Sequence, residues 1–410
     1  MPALRALGAV AVALAVMLGT IGPGSAALPS CPTSRIPRSE RLGRIAYVRA
    51  HSLHVVDLAT CRDRVLARQA GVPVRFSPDG RWIAFGRAKV VSSRGGSVTL
   101  PLGKVDDRWS WSPTDDLLAA VRRGGVVVGG PGRTRRLLVP RSGDASHVKF
   151  DPSGRRLAVE GPHQSVWVVD VRTGDRRVLY RTPKGTFAPP IVAGWSPDQR
   201  WVLFWPDIEN SASLASDGMP LMAVPVHGGR TVRVVDGMLL YDDFLSSCGN
   251  RLAIAAGLGR EVNVDKRIVV TVPPRWELTH VSHNASRSWY SPACSPDGSR
   301  IAVTSTHSHS EPRFGTAERT MWILDADGSG RRLVGGKQRD PVSEESPRWS
   351  SGGRWLLFVR RARRPFADGR LFLLRVGTGR VFGPVARLPG HLGYYGHYDW
   401  TSMSDWYQPA

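Results

Sequence analysis

The stretch Phe76-Ser77-Pro78-Asp79-Gly80-Arg81-Trp82-Ile83-Ala84-Phe85 decides the fold, because degenerate copies of it recur almost to the C-terminus. The copies are Trp111-Ser112-Pro113-Thr114-Asp115, Phe150-Asp151-Pro152-Ser153-Gly154, Trp195-Ser196-Pro197-Asp198-Gln199, Leu245-Ser246-Ser247-Cys248-Gly249, Cys294-Ser295-Pro296-Asp297-Gly298 and Trp349-Ser350-Ser351-Gly352-Gly353. Most copies join a bulky residue to a polar turn and then to a short apolar run. The chain is therefore built from repeats.

Each copy predicts a β-hairpin. Proline presets φ at the first central turn position, Asp bonds back to nearby backbone, and Gly accepts the positive φ that closes the turn. The flanking runs, such as Trp82-Ile83-Ala84-Phe85, are too short for helices and rich in β-branched and aromatic residues, which favours strands. A second strand pair follows most copies, as in Ser165-Val166-Trp167-Val168-Val169-Asp170 before Arg177-Val178-Leu179. Each unit should therefore hold four strands.

The spacing of the repeats predicts an all-β β-propeller. It rises from 35 residues (76 to 111) to 55 residues (294 to 349). A period of about 45 residues with four strands per unit is typical of a propeller blade. The alternative, a β-solenoid, usually has shorter repeats with fewer strands.

The two termini are predicted to close the ring. Residues 44–48, 53–58 and 64–66 resemble the second, third and fourth strands of a blade that lacks its first. The missing strand has a candidate at Tyr398-Asp399-Trp400-Thr401-Ser402. Such closure hides sheet edges. Seven full blades and this composite blade together give eight blades. Seven blades is the alternative, because the short segment 86–108 must supply both outer strands of the first full blade. The single propeller domain spans residues 44–410, after a linker at 28–43.

The first 27 residues are typical of a secretory signal peptide. Arg5 precedes an apolar run from Leu7 to Leu18, and small residues at Gly24-Ser25-Ala26-Ala27 suit cleavage after Ala26 or Ala27. Two alternatives remain, an uncleaved membrane anchor and a lipoprotein with Cys31 at its N-terminus. No later apolar run is long enough to span a bilayer. The protein is thus expected to be exported, either extracellular or associated with the cell envelope.

Four cysteines in an exported chain indicate two disulfides, for which three pairings exist. Cys31 with Cys61 would tie the N-terminal segment to the composite blade. Cys248 with Cys294 would link similar turn regions of neighbouring blades. If Cys31 carries lipid instead, Cys61 is left as an odd cysteine.

The charge balance points to an anionic partner. The chain has 56 basic and 34 acidic residues, a formal net charge of +22, and Arg far outnumbers Lys. Such an excess attracts nucleic acid, anionic lipid or anionic cell-wall polymers. Nucleic acid is the least expected of these partners, because an exported protein seldom meets it. One candidate anion patch is Arg360, Arg361, Arg363 and Arg364. The alternative is a set of arginines spread over solvated faces.

A search for catalytic motifs finds no phosphate-binding loop, no nucleophile elbow and no metal-type cysteine pair. No catalytic, cofactor-binding or metal-binding residue is therefore predicted, and His307 is interpreted as an ordinary loop histidine. The recurring Asp79, Asp198 and Asp297 are assigned to turns, because catalysis needs different groups that converge once. The recurring tryptophans are assigned to the packing layer of the inner strands rather than to a platform for stacking sugars. Residues 207–220, 304–319 and 337–346 form long loops that are candidates for binding surfaces.

The aromatic-Ser-Pro-Asp-Gly phrase resembles the WD40-like repeat of the TolB-like propeller family, and the likeness covers most of the chain after the leader. Residues 76–85 and 294–303 match best, whereas 245–254 lack both Pro and Asp. The resemblance implies an exported bacterial propeller that closes with both termini and acts without catalysis as an interaction hub in the envelope. A separate N-terminal α/β domain is not found and the blade count is higher, so the Tol-Pal role is not carried over. The composition and leader are typical of exported actinobacterial proteins.

Two functions follow as expectations. The first is a non-catalytic scaffold that binds an envelope protein, an anionic cell-wall polymer or a lipid head group. The alternative is a propeller enzyme, a lyase or hydrolase of a sugar polymer, with its site at the central channel. The enzyme would require His, Asp, Glu or Arg side chains to converge at one channel mouth.

Overall fold

The computed structural model describes residues 33, 36, 40, 42–106, 108–140, 145–209, 211, 213–282, 284–308, 315–334, 341–391 and 393–409. The predicted signal peptide, Cys31 and most of the linker lie outside these residues. The described chain is almost entirely β-strand, as the repeat pattern predicts. We number the blades from the N-terminus, and blade 1 is the composite one.

The first four blades span residues 44 to 181 and borrow one strand from the C-terminus. Blade 1 contains β1 (Arg44–Arg49), β2 (Ser52–Asp57), β3 (Asp63–Arg68) and β31 (Ser404–Tyr407). Blade 2 contains β4 (Val74–Phe76), β5 (Trp82–Phe85) and β6 (Lys89–Ser92). Blade 3 contains β7 (Trp109–Trp111), β8 (Leu118–Arg122), β9 (Gly125–Gly129) and β10 (Arg136–Val139). Blade 4 contains β11 (Val148–Phe150), β12 (Arg156–Gly161), β13 (Ser165–Asp170) and β14 (Arg176–Arg181).

The remaining blades follow in chain order. Blade 5 contains β15 (Pro190–Trp195), β16 (Trp201–Pro206), β17 (Met219–Pro225) and β18 (Val232–Met238). Blade 6 contains β19 (Leu245–Cys248), β20 (Arg251–Ala256), β21 (Arg267–Thr271) and β22 (Thr279–His280). Blade 7 contains β23 (Arg287–Cys294), β24 (Arg300–His307), β25 (Arg319–Asp325) and β26 (Arg331–Val334). Blade 8 contains β27 (Val342–Trp349), β28 (Trp355–Ala362), β29 (Gly369–Arg375) and β30 (Arg380–Leu388).

Helical structure is confined to three short elements in the described residues. Two 3₁₀ turns span Leu214–Ser216 and Asp242–Phe244, and one helical turn, α1, spans Trp400–Met403.

The blade count is eight. Hydrogen bonding groups the described strands into seven sheets, but the eight-stranded sheet consists of blades 5 and 6 joined through one residue pair, Met238 with Ala256. Blade 2 is the least complete blade, in agreement with the short outer strands that its sequence offers. It has three strands and a single-residue bridge between Val90 and Thr99 in place of the fourth.

The C-terminal strand closes the ring, but it is not the predicted segment. Strand β31 pairs antiparallel with β1 and matches Asp405 to Ala46. The predicted segment, Tyr398 to Ser402, instead runs into α1. The reason is local, because the Asp399 carboxylate accepts the backbone N–H of Ser402 and so caps the helical turn.

Apolar clusters fill the spaces between blades all the way round. Ile45 and Tyr47 of blade 1 pack with Leu371 and Leu373 of blade 8 in one cluster. On its other side, blade 1 shares a cluster with Ile83 and other residues of blade 2. Further clusters join each remaining pair of neighbours. The core is therefore a closed series of packed interfaces between blades.

The Ser-Pro-Asp-Gly phrase forms the turn after the first strand of a blade. Ser77 Oγ donates to Asp79 Oδ1 at 2.6 Å and accepts the backbone N–H of Trp82 at 3.1 Å. Hydrogen bonds donated by Ser295 and Ser299 lower the pKa of the equivalent Asp297 to about 2. The predicted turn role of these aspartates is confirmed.

Blade 6 departs from the repeat. Ser247 pairs with Leu252 across its first hairpin, whereas Phe76 pairs with Ile83 in blade 2. The blade 6 turn is thus two residues shorter, and Ser247 takes the place of the aromatic residue that the sequence alignment gives to Leu245. This difference explains why the repeat is faintest there.

Hydrogen bonds across blade junctions take one of two forms, depending on the first residue of the motif. Where the motif begins with Trp, the indole N–H donates to a backbone carbonyl of the preceding blade, as from Trp349 to Ala293 O at 2.8 Å. Trp111 and Trp195 do the same. In blades 2, 4 and 7, where the motif residue is not Trp, its backbone N–H donates to a polar side chain of the preceding blade. The three such pairs are Phe76 with Asp405, Phe150 with Ser110, and Cys294 with Ser246.

One predicted disulfide is present. Cys248 at the end of β19 is bonded to Cys294 at the end of β23, with the Cα atoms 5.1 Å apart. It joins blades 6 and 7, as expected for neighbouring turn regions. The pairing of Cys31 with Cys61 stays a prediction, because Cys31 lies outside the described residues.

Candidate functional site

A polar cavity lies inside the ring. Its volume is about 810 Å³, and it is lined by the first strands of blades 2 to 5, by the turn at Asp242–Phe244 and by the C-terminal segment. This volume is in the range of ligand sites in proteins. We call it the channel cavity.

Equivalent positions of successive first strands supply much of its wall. Arg75, Ser110 and Lys149 each precede the motif aromatic, and each lies opposite an alanine of the second strand. Because strand residues alternate between faces, each of these three side chains lies on the opposite face of its strand from the motif aromatic. All three line the channel cavity.

A C-terminal hairpin forms the opposite wall. Tyr394 and His397 pair across a tight turn whose central residues, Tyr395 and Gly396, both have positive φ. Tyr395 O accepts the N–H of Val262 in blade 6 at 3.1 Å. Arg319 of blade 7 donates to Gly396 O. This hairpin, residues 394–397, thus reaches across the ring from blade 8 to blades 6 and 7.

A buried ion pair fixes the hairpin. His397 Nε2 lies 2.9 Å from Asp243 Oδ1, and the two side chains are 6% and 12% exposed. Ser291 donates to the other carboxylate oxygen at 2.7 Å, and the Tyr241 ring stacks on the imidazole at 3.7 Å between centroids. Burial opposes the charge, but Asp243 raises the pKa of His397. Burial likewise opposes the charge of Asp243, yet His397 lowers the pKa of that carboxyl group. Each group therefore favours the charged form of the other.

Two arginines hold the helical turn that follows the hairpin. Arg75 donates to Thr401 O at 2.8 Å, and Arg348 donates to Trp400 O at 3.2 Å and to Ser404 O at 2.6 Å. Cations at a helix C-terminus are favourable because they satisfy its free carbonyls. Burial lowers the pKa of Arg348 to about 10. Arg348 therefore remains a cation at neutral pH.

A second ion-pair network supports the hairpin through Arg319, which also donates to Gly396 O. Glu345 of blade 8 is buried between Arg319 and Arg361, and it bonds to both. Burial opposes ionisation of Glu345, but the two guanidinium groups lower its pKa to about 2. Glu345 is therefore a fully ionised, buried carboxylate that orients the two arginines.

The predicted anion patch is divided by these pairings. Arg361 is buried on Glu345, Arg360 bonds to Glu344, and Arg363 lies 3.4 Å from Glu318. Arg364 is exposed. The structure therefore does not gather the four guanidinium groups on one exposed surface.

Blade 4 places an oriented histidine in the channel cavity. His147 Nδ1 lies 2.5 Å from Glu160 Oε2. Glu160 is buried and is itself held, since its other oxygen accepts the N–H of Val192 at 2.7 Å and Ser146 donates to Oε2. A buried carboxylate of this kind fixes the orientation of an imidazole.

Lys149 lies two residues further along the same strand face. Its Nζ donates to both carboxylate oxygens of Asp242, at 3.0 and 3.1 Å. Lys149 foremost, with Arg75 and His147 adding to it, lowers the pKa of Asp242. The exposed guanidinium of Arg108 also lines this part of the channel cavity. The blade 2 to 4 side of the channel cavity is thus rich in positive charge.

The three long loops predicted as binding surfaces do not line the channel cavity in their described parts. Within the described residues, no group of three or more His, Cys, Asp or Glu side chains is placed to hold a metal ion. In the same part of the chain, no helix is long and apolar enough to cross a membrane.

Comparisons with known proteins confirm the fold. The sequence matches no known family profile, and no curated protein is similar to it. Among solved structures, the dihydro-heme d1 dehydrogenase NirN has a TM-score of 0.57 at 14% identity, over 87% of this chain and 76% of NirN. A TolB from Agrobacterium tumefaciens is 15% identical over 67% of this chain and 94% of that chain, with a TM-score of 0.39.

An oligogalacturonate lyase in complex with manganese is 13% identical over 84% of both chains, with a TM-score of 0.45. The solved structures similar to this chain thus include TolB proteins as well as NirN, and at these identities the likeness is one of fold. They include proteins named as enzymes, so the fold by itself assigns no activity.

Proposed function

We propose that the protein is an exported β-propeller that binds a component of the cell envelope at the channel cavity, without catalysis. The component is either a protein or an anionic molecule of the wall or membrane surface. The observation that carries this proposal is the convergence of charged and aromatic side chains from five blades and the C-terminal hairpin on one cavity.

The chemistry of the channel cavity suits recognition. Its ionisable groups are mostly held by partners within the protein, as in Lys149 with Asp242 and His397 with Asp243. Groups fixed in this way lose little conformational freedom when a ligand binds, which favours affinity. The predicted leader and the disulfide between Cys248 and Cys294 support an oxidising compartment outside the cytoplasm.

Capture from envelope extract tests the proposal. Residues 28–410 are immobilised and compared with Val72→Trp, which adds bulk at the cavity wall, and with Val98→Trp outside the channel cavity. The two valines are matched, being 41% and 43% exposed. We expect a partner that the unmodified protein and Val98→Trp retain at low salt and that Val72→Trp loses. Equal retention by all three proteins would contradict binding at the channel cavity.

A propeller enzyme acting on a sugar polymer is the second candidate. The observation that favours it is the pair of His147 and Glu160, because an imidazole oriented by a buried carboxylate is the usual form of a general base. Arg108 and Lys149 beside it are suited to hold a substrate carboxylate.

The two functions are separated by incubating the protein with acidic and neutral polysaccharides and measuring new chain ends. An enzyme would release them, and His147→Gln would stop the release while its unfolding midpoint stays above the assay temperature. Release that is absent with every polymer, together with capture of an intact partner, supports the binding function.

A further inference from the structure

We propose that Lys149 and Arg108 form a binding site for a carboxylate group of the ligand, and that the protein's own Asp242 carboxylate occupies this site when no ligand is bound. This inference rests on the proposed binding function of the channel cavity and names the chemistry that it recognises.

The contact between Lys149 and Asp242 has the form of a bound ligand. The ammonium group touches both oxygens of one carboxylate at nearly equal distances, 3.0 and 3.1 Å. Asp242 comes from the turn that precedes β19 of blade 6, whereas Lys149 lies on β11 of blade 4, and both line the channel cavity. The contact therefore joins two blades that are not neighbours in the ring.

This ion pair is also easily replaced. The Lys149 side chain is 33% exposed and that of Asp242 is 66% exposed, although both lie inside the ring. Exposed pairs contribute little because water screens them. A ligand carboxylate can therefore displace Asp242 at small cost, which distinguishes this pair from the buried pair of His397 and Asp243.

Arg108 supplies the second donor. Its guanidinium lies 3.5 Å from the His147 ring, one blade from Lys149, and forms no ion pair within the described residues. A guanidinium can donate two parallel hydrogen bonds to a carboxylate. Since Glu160 already holds His147, the arginine keeps its donors for a ligand.

The internal carboxylate also indicates the ligand. An aspartate side chain is a model of a uronic acid or of a peptide carboxylate, and phosphate is the other common anion that the same donors bind. The experiment therefore compares three probes of similar length by calorimetric titration. They are a uronic-acid trisaccharide, a glycerol phosphate trimer and a neutral trisaccharide.

The variants are chosen so that one of them gains affinity. Asp242→Asn removes the competing carboxylate, whereas Lys149→Met and Arg108→Gln remove the donors. Asp236→Asn is the matched control, because Asp236 is an exposed aspartate paired with Arg233 outside the channel cavity. The unfolding midpoint of each variant shows that a loss of binding is not a loss of fold.

We expect the uronic-acid probe to bind and the neutral probe to give no measurable binding. Asp242→Asn should bind it about two- to fivefold more tightly, the value of an exposed ion pair. Lys149→Met and Arg108→Gln should each weaken it about tenfold or more, as for a charge-assisted hydrogen bond. Asp236→Asn should match the unmodified protein.

Three results would overturn the inference. They are equal binding of the neutral probe, preference for the glycerol phosphate trimer, and unchanged or weaker binding by Asp242→Asn. The proposed function is judged separately by capture. If Lys149→Met and Arg108→Gln still retain the envelope partner that Val72→Trp loses, the channel cavity binds and the carboxylate site is wrong.

Discussion

The ion pair of His397 with Asp243 should control how firmly the C-terminal hairpin is held. The change is His397→Gln, which keeps a hydrogen-bond donor near Asp243 but removes the positive charge. Both side chains are nearly buried at a separation of 2.9 Å. Removal of one partner of such a pair costs about 3–5 kcal/mol, because the remaining charge stays buried without compensation. We expect the lower end of that range, about 3 kcal/mol, since glutamine can still donate.

The stabilisation that the pair of His397 and Asp243 contributes should depend on pH. The pKa of His397 is raised in the folded protein, so its stabilisation is complete below its unfolded pKa of about 6.5 and is lost as pH rises through the folded pKa. The pKa of Asp243 is lowered, so its stabilisation is present above about 3.9 and is lost as pH falls through the folded pKa. The pair should therefore stabilise the hairpin most between about pH 4 and 6.5.

Urea unfolding across pH 4–9 measures the loss of stability in His397→Gln and its dependence on pH. Limited proteolysis of the C-terminal segment shows how firmly the hairpin is held. His227→Gln provides the control, because His227 is an exposed histidine outside the channel cavity. We expect His397→Gln to lower the unfolding midpoint at pH 6 and to flatten the decline above it, with faster cleavage near residue 395. An unchanged pH profile in His397→Gln would refute the reasoning.

Three further predictions concern stability. Trp349→Phe should cost about 1 kcal/mol in urea unfolding, since it removes the hydrogen bond to Ala293 O across a blade junction but keeps most of the packing; a cost below a few tenths would contradict the junction rule. Glu345→Gln should destabilise by about 3–5 kcal/mol because it leaves two buried arginines underpaired, whereas the exposed Glu318→Gln should change the midpoint little. Replacement of Cys248 and Cys294 by Ala should cost about 4 kcal/mol for a separation of 46 residues, if the cross-link acts on the unfolded chain; an equal midpoint with and without reductant would contradict it.

The repeat made the architecture readable from sequence. Ser77 and Asp79 form a turn wherever the same residue types recur, because their hydrogen bonds are local. The sequence places blade 6 two residues out of register, since nothing in Leu245-Ser246-Ser247-Cys248 marks which residue faces the neighbouring blade. It predicts the closing strand at Tyr398 rather than at Ser404, because aromatic residues occur in both places.

The candidate site was not readable in the same way. His147, Asp243 and His397 lie on blade 4, before blade 6 and in the C-terminal hairpin, and they meet only when the ring closes. None lies at a repeated position of the motif. One signal is available, since the residue before the motif aromatic lines the channel cavity in blades 2, 3 and 4, and Arg75 and Lys149 can be found by that rule.

The alternating hydrogen bonds at the junctions mean that the blades are not interchangeable modules. A blade whose motif begins with Trp needs only a backbone carbonyl from the blade before it, which any neighbour offers. A blade that begins with Phe or Cys needs a particular acceptor side chain, such as Ser110 or Ser246. If a blade of the Trp type were duplicated, the indole N–H of the copy would therefore still find a backbone carbonyl in the blade before it. The order of the other blades is fixed by their neighbours, which constrains how such a ring can grow or be recombined.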